Sequence, residues 1–356
     1  MITDRDDFIA TVEHRRPSRI LYRAGFTPDL HRRVAEHVGT EKIGEHYGFM
    51  GMTNLSPNRP DHIEPIDYRR FYGKDELPEG TRISPVGAAQ VPSGFYHFFG
   101  YISPLRNATS LKELEDYPLD DCAQWDISHY EETVSSARAA GRIVVGGVGH
   151  MYESAWQIRG YEEFLIDMME RPAWAECILD KLIEQARYKA VTAAKAGADY
   201  VHCGDDVASQ VSLMFSKPMW EKFMLSRRRR VWQEVKEANP DCRIWYHSDG
   251  NVADIVGDLI EAGVDILNPL QPECLDCDAL HRRYGDRLTF DGAIGTQSTM
   301  PFGSAEEVRA RVKEVIEKYG QNGGLIISPT HILEPEVPLE NIDALFDACR
   351  EYGQFG

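Results

Sequence analysis

Nothing in the chain provides for a membrane, a disulfide framework or a phosphate cradle. No apolar run approaches the ~18 residues that a membrane helix needs, and Met1-Ile2-Thr3-Asp4-Arg5-Asp6-Asp7 is too polar for a secretory leader. The seven cysteines are odd in number and lack framework spacing, so reduced thiols and a cytoplasmic setting are expected. Positive charge is scarce: 39 Lys and Arg stand against 57 Asp and Glu, a net charge of −18. That balance excludes nucleic acid and anionic membrane surfaces as ordinary partners. The local exception, Arg227-Arg228-Arg229-Arg230, is expected to be a solvated helix face. Its other use would be docking of an acidic partner or an anionic substrate. No G-x-G-x-x-G opens a helix and no P-loop lysine occurs. Gly146-Gly147 and Gly323-Gly324 lie at or before strands, where they cannot cradle a phosphate. Cys274-Leu275-Asp276-Cys277 has no second pair with which to build a structural zinc site, so chance spacing is expected.

What is present is a soluble core with a regular beat. Hydrophobic residues make up 42% and charged residues 27% of the 356, and no linker or repeat divides the chain, so one domain over residues 1–356 is expected. Short apolar runs at 143–148, 198–202, 243–247, 264–268, 288–291 and 325–328 alternate with helical stretches at 161–196, 252–262 and 305–319. The last of these is capped by Ser304 and stopped by Gly320. Nearly every strand ends in polar residues. A doubly wound sheet gathers its ligands at one switch point, whereas a barrel gathers them at many strand ends. The expected fold is therefore α/β, a (β/α)₈ TIM barrel. Residues up to about 120 are proline-rich and less regular, and are expected to form loops or a lid over the mouth. Segments 19–22 and 82–86 could supply the closing strands.

Four strand ends could carry chemistry. In Tyr246-His247-Ser248-Asp249-Gly250, a histidine and an aspartate two residues apart can reach one point, and zinc accepts both donor types. The alternative is a histidine simply bonded to its neighbour. Ser328-Pro329-Thr330-His331 can bring His331 to the same mouth, or His331 can be a capping or packing residue. Gly204-Asp205-Asp206, after His202 and Cys203, offers paired carboxylates as a general base or anchor, because two close charges raise one pKa; a helix cap is the competing use. Gly149-His150-Met151-Tyr152-Glu153 offers Glu153 as an acid or ligand, or as a first-turn residue favoured by the helix dipole. Trp156 could wall the pocket, with His150, Tyr152 and His202 beside the substrate. Asn268, Gln271, Asp291 and Gln297 look like hydrogen-bonding residues for a polar ligand.

Taken together, these residues resemble the uroporphyrinogen decarboxylase superfamily over nearly the whole chain. The resemblance is carried by Glu13-His14-Arg15-Arg16-Pro17-Ser18-Arg19, Arg159-Gly160, Tyr246-His247-Ser248-Asp249-Gly250, Gly263-Val264-Asp265-Ile266-Leu267-Asn268-Pro269, Phe290-Asp291-Gly292 and Pro338-Leu339-Glu340-Asn341-Ile342. The haem-pathway decarboxylase has an arginine-rich R-Q-A-G-R-Y stretch. Here Tyr22-Arg23-Ala24-Gly25-Phe26-Thr27 keeps one arginine, and an acidic chain suits a porphyrin poorly. The corrinoid-linked methyltransferases of the superfamily hold zinc through H-x-C and a later cysteine. His247 matches that histidine, Asp249 stands at the first cysteine and His331 at the later one. The resemblance thus implies zinc on His247, Asp249 and His331, with Glu153, Asp205 or Cys277 as substitutes. It also implies methyl transfer from a small methoxylated substrate to a corrinoid carried by a partner protein. A metal-free decarboxylase or lyase, with Asp205, Asp206 and His247 moving protons, is the alternative. The number of polar strand ends argues against a purely binding role.

Overall fold

The computed structural model describes residues 2–73, 77–94 and 99–355. Eleven strands lie among them. A small antiparallel sheet contains β3 (Arg82–Ile83), β4 (Ala89–Pro92) and β5 (Phe99–Ile102). The other eight form one parallel sheet: β1 (Leu21–Tyr22), β2 (Met52–Leu55), β6 (Ile143–His150), β7 (Tyr200–Gly204), β8 (Arg243–His247), β9 (Ile266–Leu270), β10 (Thr289–Ile294) and β11 (Leu325–Pro329). Their order is β1-β11-β10-β9-β8-β7-β6-β2. The two ends of the sheet approach each other where Met50, two residues before β2, donates its N–H to the Tyr22 C=O of β1 at 3.0 Å. The sheet is therefore curled and TIM-barrel-like, as the strand–helix beat predicts.

Alternation of side chains sorts the core into two layers. Leu21, Val145, Tyr200, Trp245, Ile266 and Ile326 pack together inside the curl, while Val144, Val201, Ile244, Leu267 and Ile327 join the larger cluster shared with the helices. Phe8 and Val12 of the first helix, Asp4–Val12, complete the inner cluster. This helix sits at the N-terminal ends of the strands, held by Arg5 Nε on Asp199 at 2.8 Å and by Arg5 N–H on Gly141 C=O. The expectation that the N-terminal region drapes over the mouth is thus corrected for residues 4–12, whose apolar face plugs the opposite end.

Two further expectations are corrected. Residues 82–83 do not close the barrel; the strand in that place is β2, whose Met-Thr-Asn-Leu pairs with β6 from Met52 opposite Ile143 to Leu55 opposite Gly146. The stretch 161–196 is two helices, Tyr161–Glu170 and Pro172–Ala196, because Pro172 cannot donate within a continuing helix and instead opens the second one. The helix Ala305–Tyr319 matches its expected bounds, with Ser304 and Glu307 forming a capping box.

Candidate active site

The C-terminal ends of β6 to β11 converge on one mouth. His247 closes β8, and its Nδ1 lies 2.6 Å from Asn268 Oδ1 on β9. Asn268 Nδ2 donates to Asp291 Oδ2 on β10 at 2.5 Å, and the same oxygen accepts from Arg23 at 3.0 Å. Ser328 Oγ donates to the other oxygen of Asp291 at 2.8 Å. Because Asn268 presents its oxygen, Nδ1 of His247 is the N–H donor and the Nε2 lone pair is left outward-facing. Nε2 stands 3.5 Å from Asp206 Oδ1 and 3.9 Å from Asp249 Oδ1. Room for this packing comes from Gly204, where a Cβ would stand 2.7 Å from the His247 carbonyl and 3.2 Å from His150 Cε1.

Asp206, His247 and Asp249 each offer a ligand atom, and these atoms lie within 4.8 Å of one another. Asp249 N–H donates to Asp206 Oδ1 at 2.9 Å, while Asp249 Oδ1 is buried with no hydrogen-bond partner. Burial, with Glu153 and Asp249 nearby, pushes the Asp206 carboxyl up. An orphaned carboxylate oxygen, crowded acids and an oriented imidazole are what a bound dication would relieve, and an N/O/O set suits zinc. His331 approaches from the far side, its Nε2 3.9 Å from Asp249 Oδ2. The tight group therefore contains Asp206, which the sequence suggests as a general base, a substrate anchor or a helix cap but not as a metal ligand. It contains neither His331 nor any of the substitutes Glu153, Asp205 and Cys277.

Behind this group, His150 Nδ1 lies 2.5 Å from Glu153 Oε1, and that oxygen also accepts Asp206 N–H at 2.9 Å. Burial alone would lower the His150 pKa, but Glu153 outweighs it and carries the ring up to about 9. Glu153, in the first turn of Tyr152–Arg159, is pulled upward by burial but held below its ordinary value by His150. His202 is the opposite case. Burial first, then His247 and Arg23, push it down to about 3, so it stays neutral. Arg23, His150, His202 and His247 line an inner cavity of about 260 Å³, with His331 at its edge.

Several expected site residues lie elsewhere. Asp205 is fully buried: Oδ1 accepts the N–H groups of Met151 and Tyr152, each at 2.6 Å, and Oδ2 faces Arg228 at 3.0 Å. Burial pushes its carboxyl up to about 6, Arg228 pulls the other way, and it is ionised at neutral pH. Neither Asp205 nor Asp206 caps the following helix, which begins only at Lys217; Asp205 instead accepts from the N-terminus of the helix Tyr152–Arg159. Tyr152 is buried against Phe164 and Phe215. Trp156 packs edge-on against Tyr101 and Tyr161. Gln271 accepts Gly250 N–H, and Gln297 pairs with Gln210 at the rim. The arginine run is not one solvated face: Arg227 pairs with Asp180 and Arg230 with Glu184, but Arg228 is buried. Neither Cys274 nor Cys277 joins a metal-binding group among the described residues.

Residues 101–352 match the family described as Uroporphyrinogen decarboxylase (URO-D). The chain belongs to this family. Among curated relatives, it is 25% identical over 256 residues to "Uroporphyrinogen decarboxylase" of Nostoc punctiforme, covering 70% of this chain and 69% of that one. It is 26% identical over 210 residues to "Methylcobamide:CoM methyltransferase MtaA" of Methanosarcina barkeri, covering 59% and 58%. Over other decarboxylase relatives the match spans about half of their length. A solved "methyltransferase from Methanosarcina mazei" superposes with a TM-score of 0.66 at 19% identity, over 99% of both chains; that likeness establishes the shared fold. No described helix is long and apolar enough to cross a membrane.

Proposed function

We propose that this protein is a zinc-dependent, corrinoid-linked methyltransferase acting on a small methoxylated substrate. The observation that carries the reading is the chain Arg23–Asp291–Asn268–His247, which fixes the tautomer of His247 and presents Nε2 toward Asp206 and Asp249. Such outer hydrogen bonds are what orients a metal-bound histidine. Asp206, His247 and Asp249 would hold the ion, with His331 beside Asp249. Zinc bound there would supply a Lewis acid for a leaving oxygen. The residues around it have their own tasks. The His150–Glu153 pair fixes the Asp206 backbone, and neutral His202 offers a ring nitrogen to the substrate. Asp205 and Arg228 lock the ends of β6 and β7 from behind. A cobalamin is too large for the interior of the curl, so a corrinoid protein would present it from outside, over the mouth. The relatives named for methylcobamide:CoM methyl transfer support this branch of the family.

One observation favours the decarboxylase alternative. In both the Arg23–Asp291 and His150–Glu153 pairs the cation lines the inner cavity and the carboxylate does not, an arrangement that would hold a substrate carboxylate. The two readings separate on metal content and on the reaction. Protein purified without chelator should carry about one equivalent of zinc and should methylate free cob(I)alamin from a panel of small methoxylated compounds. Zinc below ~0.1 equivalent, with carbon dioxide released from a carboxylate panel and no methyl transfer, would replace the first reading with the second.

A further inference from the structure

Strand β6 reads Ile-Val-Val-Gly-Gly-Val-Gly-His, and two of its three glycines have a structural reason. A Cβ on Gly146 would stand 2.5 Å from the Ala193 side chain, so the close approach of the helix Pro172–Ala196 requires it. Gly149 has φ +89°, a conformation that other residues avoid. The β6–β7 register shifts between Gly147 and Gly149, and the positive φ of that irregularity falls on Gly149. Gly147 has neither reason. Its φ is not positive, and no described heavy atom lies within 4 Å of the place its Cβ would take. The residue is exposed, whereas Ile143 to Gly146 and Val148 are buried. A strand glycine without a packing or backbone reason costs chain entropy, and it marks a place where a ligand approaches the backbone.

Gly147 faces into the curl, on the side of Val145, and pairs in register with His202 of β7. His202 lines the inner cavity, its ring 6.1 Å from that of Trp245 and 6.5 Å from that of His247. His150 is held by Glu153 and His247 by Asn268, but neither ring nitrogen of His202 has a hydrogen-bond partner among the described residues. A neutral imidazole offers one donor and one acceptor. A hydroxyl answers both, whereas an ammonium only donates and a carboxylate only accepts. Resting on the reading of the mouth as the substrate site, we propose that Gly147 and His202 together determine its specificity: the untransferred part of the substrate lies against the bare backbone at Gly147, and a hydroxyl on it hydrogen-bonds to His202. The substrate class is thereby narrowed from any small methoxylated compound to a methoxylated alcohol.

The test is a titration of the intact protein as purified, followed by NMR of its isotope-labelled histidine rings; a His202→Gln variant identifies the His202 signal. The probes are 2-methoxyethanol and 1-methoxypropane, which match in size and differ in a hydroxyl against a methyl, and methoxyacetate, which carries a charge. The alcohol should move the His202 signal saturably and bind at least ~10-fold more tightly than the ether of equal size, the loss expected when a donor and an acceptor go unanswered. Methoxyacetate should bind more weakly than the alcohol. Gly147→Val should fill the gap and weaken binding of the alcohol at least ~10-fold while keeping the zinc content. Its unfolding midpoint should be no lower than that of the parent, because a β-branched residue suits a strand better than glycine. If the valine variant fails to fold, Gly147→Ala makes the same change at smaller size, and a lowered midpoint in both would show that the fold needs the glycine and would overturn its role. Equal binding of the ether, tighter binding of methoxyacetate, or no movement of the His202 signal at millimolar alcohol would overturn the proposal on unmodified protein. Methyl transfer without the alcohol preference would sink this subsite alone. The alcohol preference in protein without zinc or methyl transfer would sink the methyltransferase reading and leave the subsite standing.

Discussion

Asp205 and Asp206 are one peptide bond apart and stand in two different media. Asp205 lies behind the strand ends, with every lone pair it uses given to Arg228 or to the N–H groups of Met151 and Tyr152. Asp206 lies at the mouth, its side chain 38% exposed, sharing Oδ1 with Asp249 N–H and facing His247. Successive residues leaving a strand face opposite sides, so the carboxylate that stiffens the fold and the carboxylate placed for chemistry come from one loop. The lesson is that a pair of acids in sequence is not a pair in space.

The largest effect that would sharpen this contrast is on stability. Arg228→Met removes one partner of a pair whose side chains are 2% and 0% exposed, leaving Asp205 buried and unpaired, so that it must either stay charged without a counter-ion or take up a proton. Breaking such a pair costs ~3–5 kcal/mol, which urea unfolding followed by circular dichroism would read. Asp206→Asn should cost less than ~1 kcal/mol, because its neighbourhood is partly wet and already crowded with negative charge. Similar losses for the two variants would mean that both acids serve the same end.

Metal content should reverse the order. Asp206→Asn, Asp249→Asn and His247→Ala are each expected to lose zinc on gel filtration while remaining folded, whereas Arg228→Met should retain zinc in whatever fraction stays folded. His331→Ala is expected to weaken retention less than Asp206→Asn, because His331 meets Asp249 alone at 3.9 Å while Asp206 belongs to the tight group. The opposite ranking would restore His331 as the third ligand. One step further back, Asn268→Ala should weaken zinc binding ~10–100-fold by freeing the His247 ring, measured by competition with a chromogenic chelator. Affinity unchanged from the parent protein would mean that the Arg23–Asp291–Asn268 chain does not orient His247.

The same contrast explains what can be read without coordinates. Strands β6 to β11 are legible because each is a largely β-branched or aromatic run that ends at, or just before, a glycine or a polar residue, and that alternation places His247, Asp249 and His331 at one mouth. Two-residue β1 and the mixed Met-Thr-Asn-Leu of β2 carry no such pattern; only pairing with Ile326–Ile327 and with β6 makes them strands. Arg228 does leave a signal. Met224, Arg228, Val231 and Val235 recur at helical spacing and are all buried, so one of the four arginines has to face inward. The partner of Arg228 lies 23 residues away and gives no local sign, which is why Asp205 resembles a catalytic acid in the sequence. Sequence spacing misses Asp206 as a ligand because neighbouring β7 and β8 are what bring it to His247.

The smallest expected effect is a pH dependence that belongs to the mouth and not to the region behind it. Glu153 raises the folded-state pKa of His150 to about 9 from an ordinary value near 6.5. A group whose pKa is raised on folding contributes stability that is complete below its unfolded value and is lost as pH rises through its folded value. The His150–Glu153 contribution should therefore be full below about pH 6.5 and fade toward pH 9. Glu153→Gln removes the carboxylate that raises the ring, so the variant should lose less stability than the parent between those limits. Subtracting the two unfolding profiles cancels groups that titrate alike in both proteins, which isolates the pair from His202, already neutral throughout this window. The Asp205–Arg228 pair should contribute only the tail of the Asp205 titration at the low end of this window, since its carboxyl sits at about 6 and the guanidinium stays charged. A difference profile that is flat from pH 6.5 to 9, or that rises with pH, would show that His150 is not held charged by Glu153 and would leave the Asp206 backbone without the anchor inferred for it.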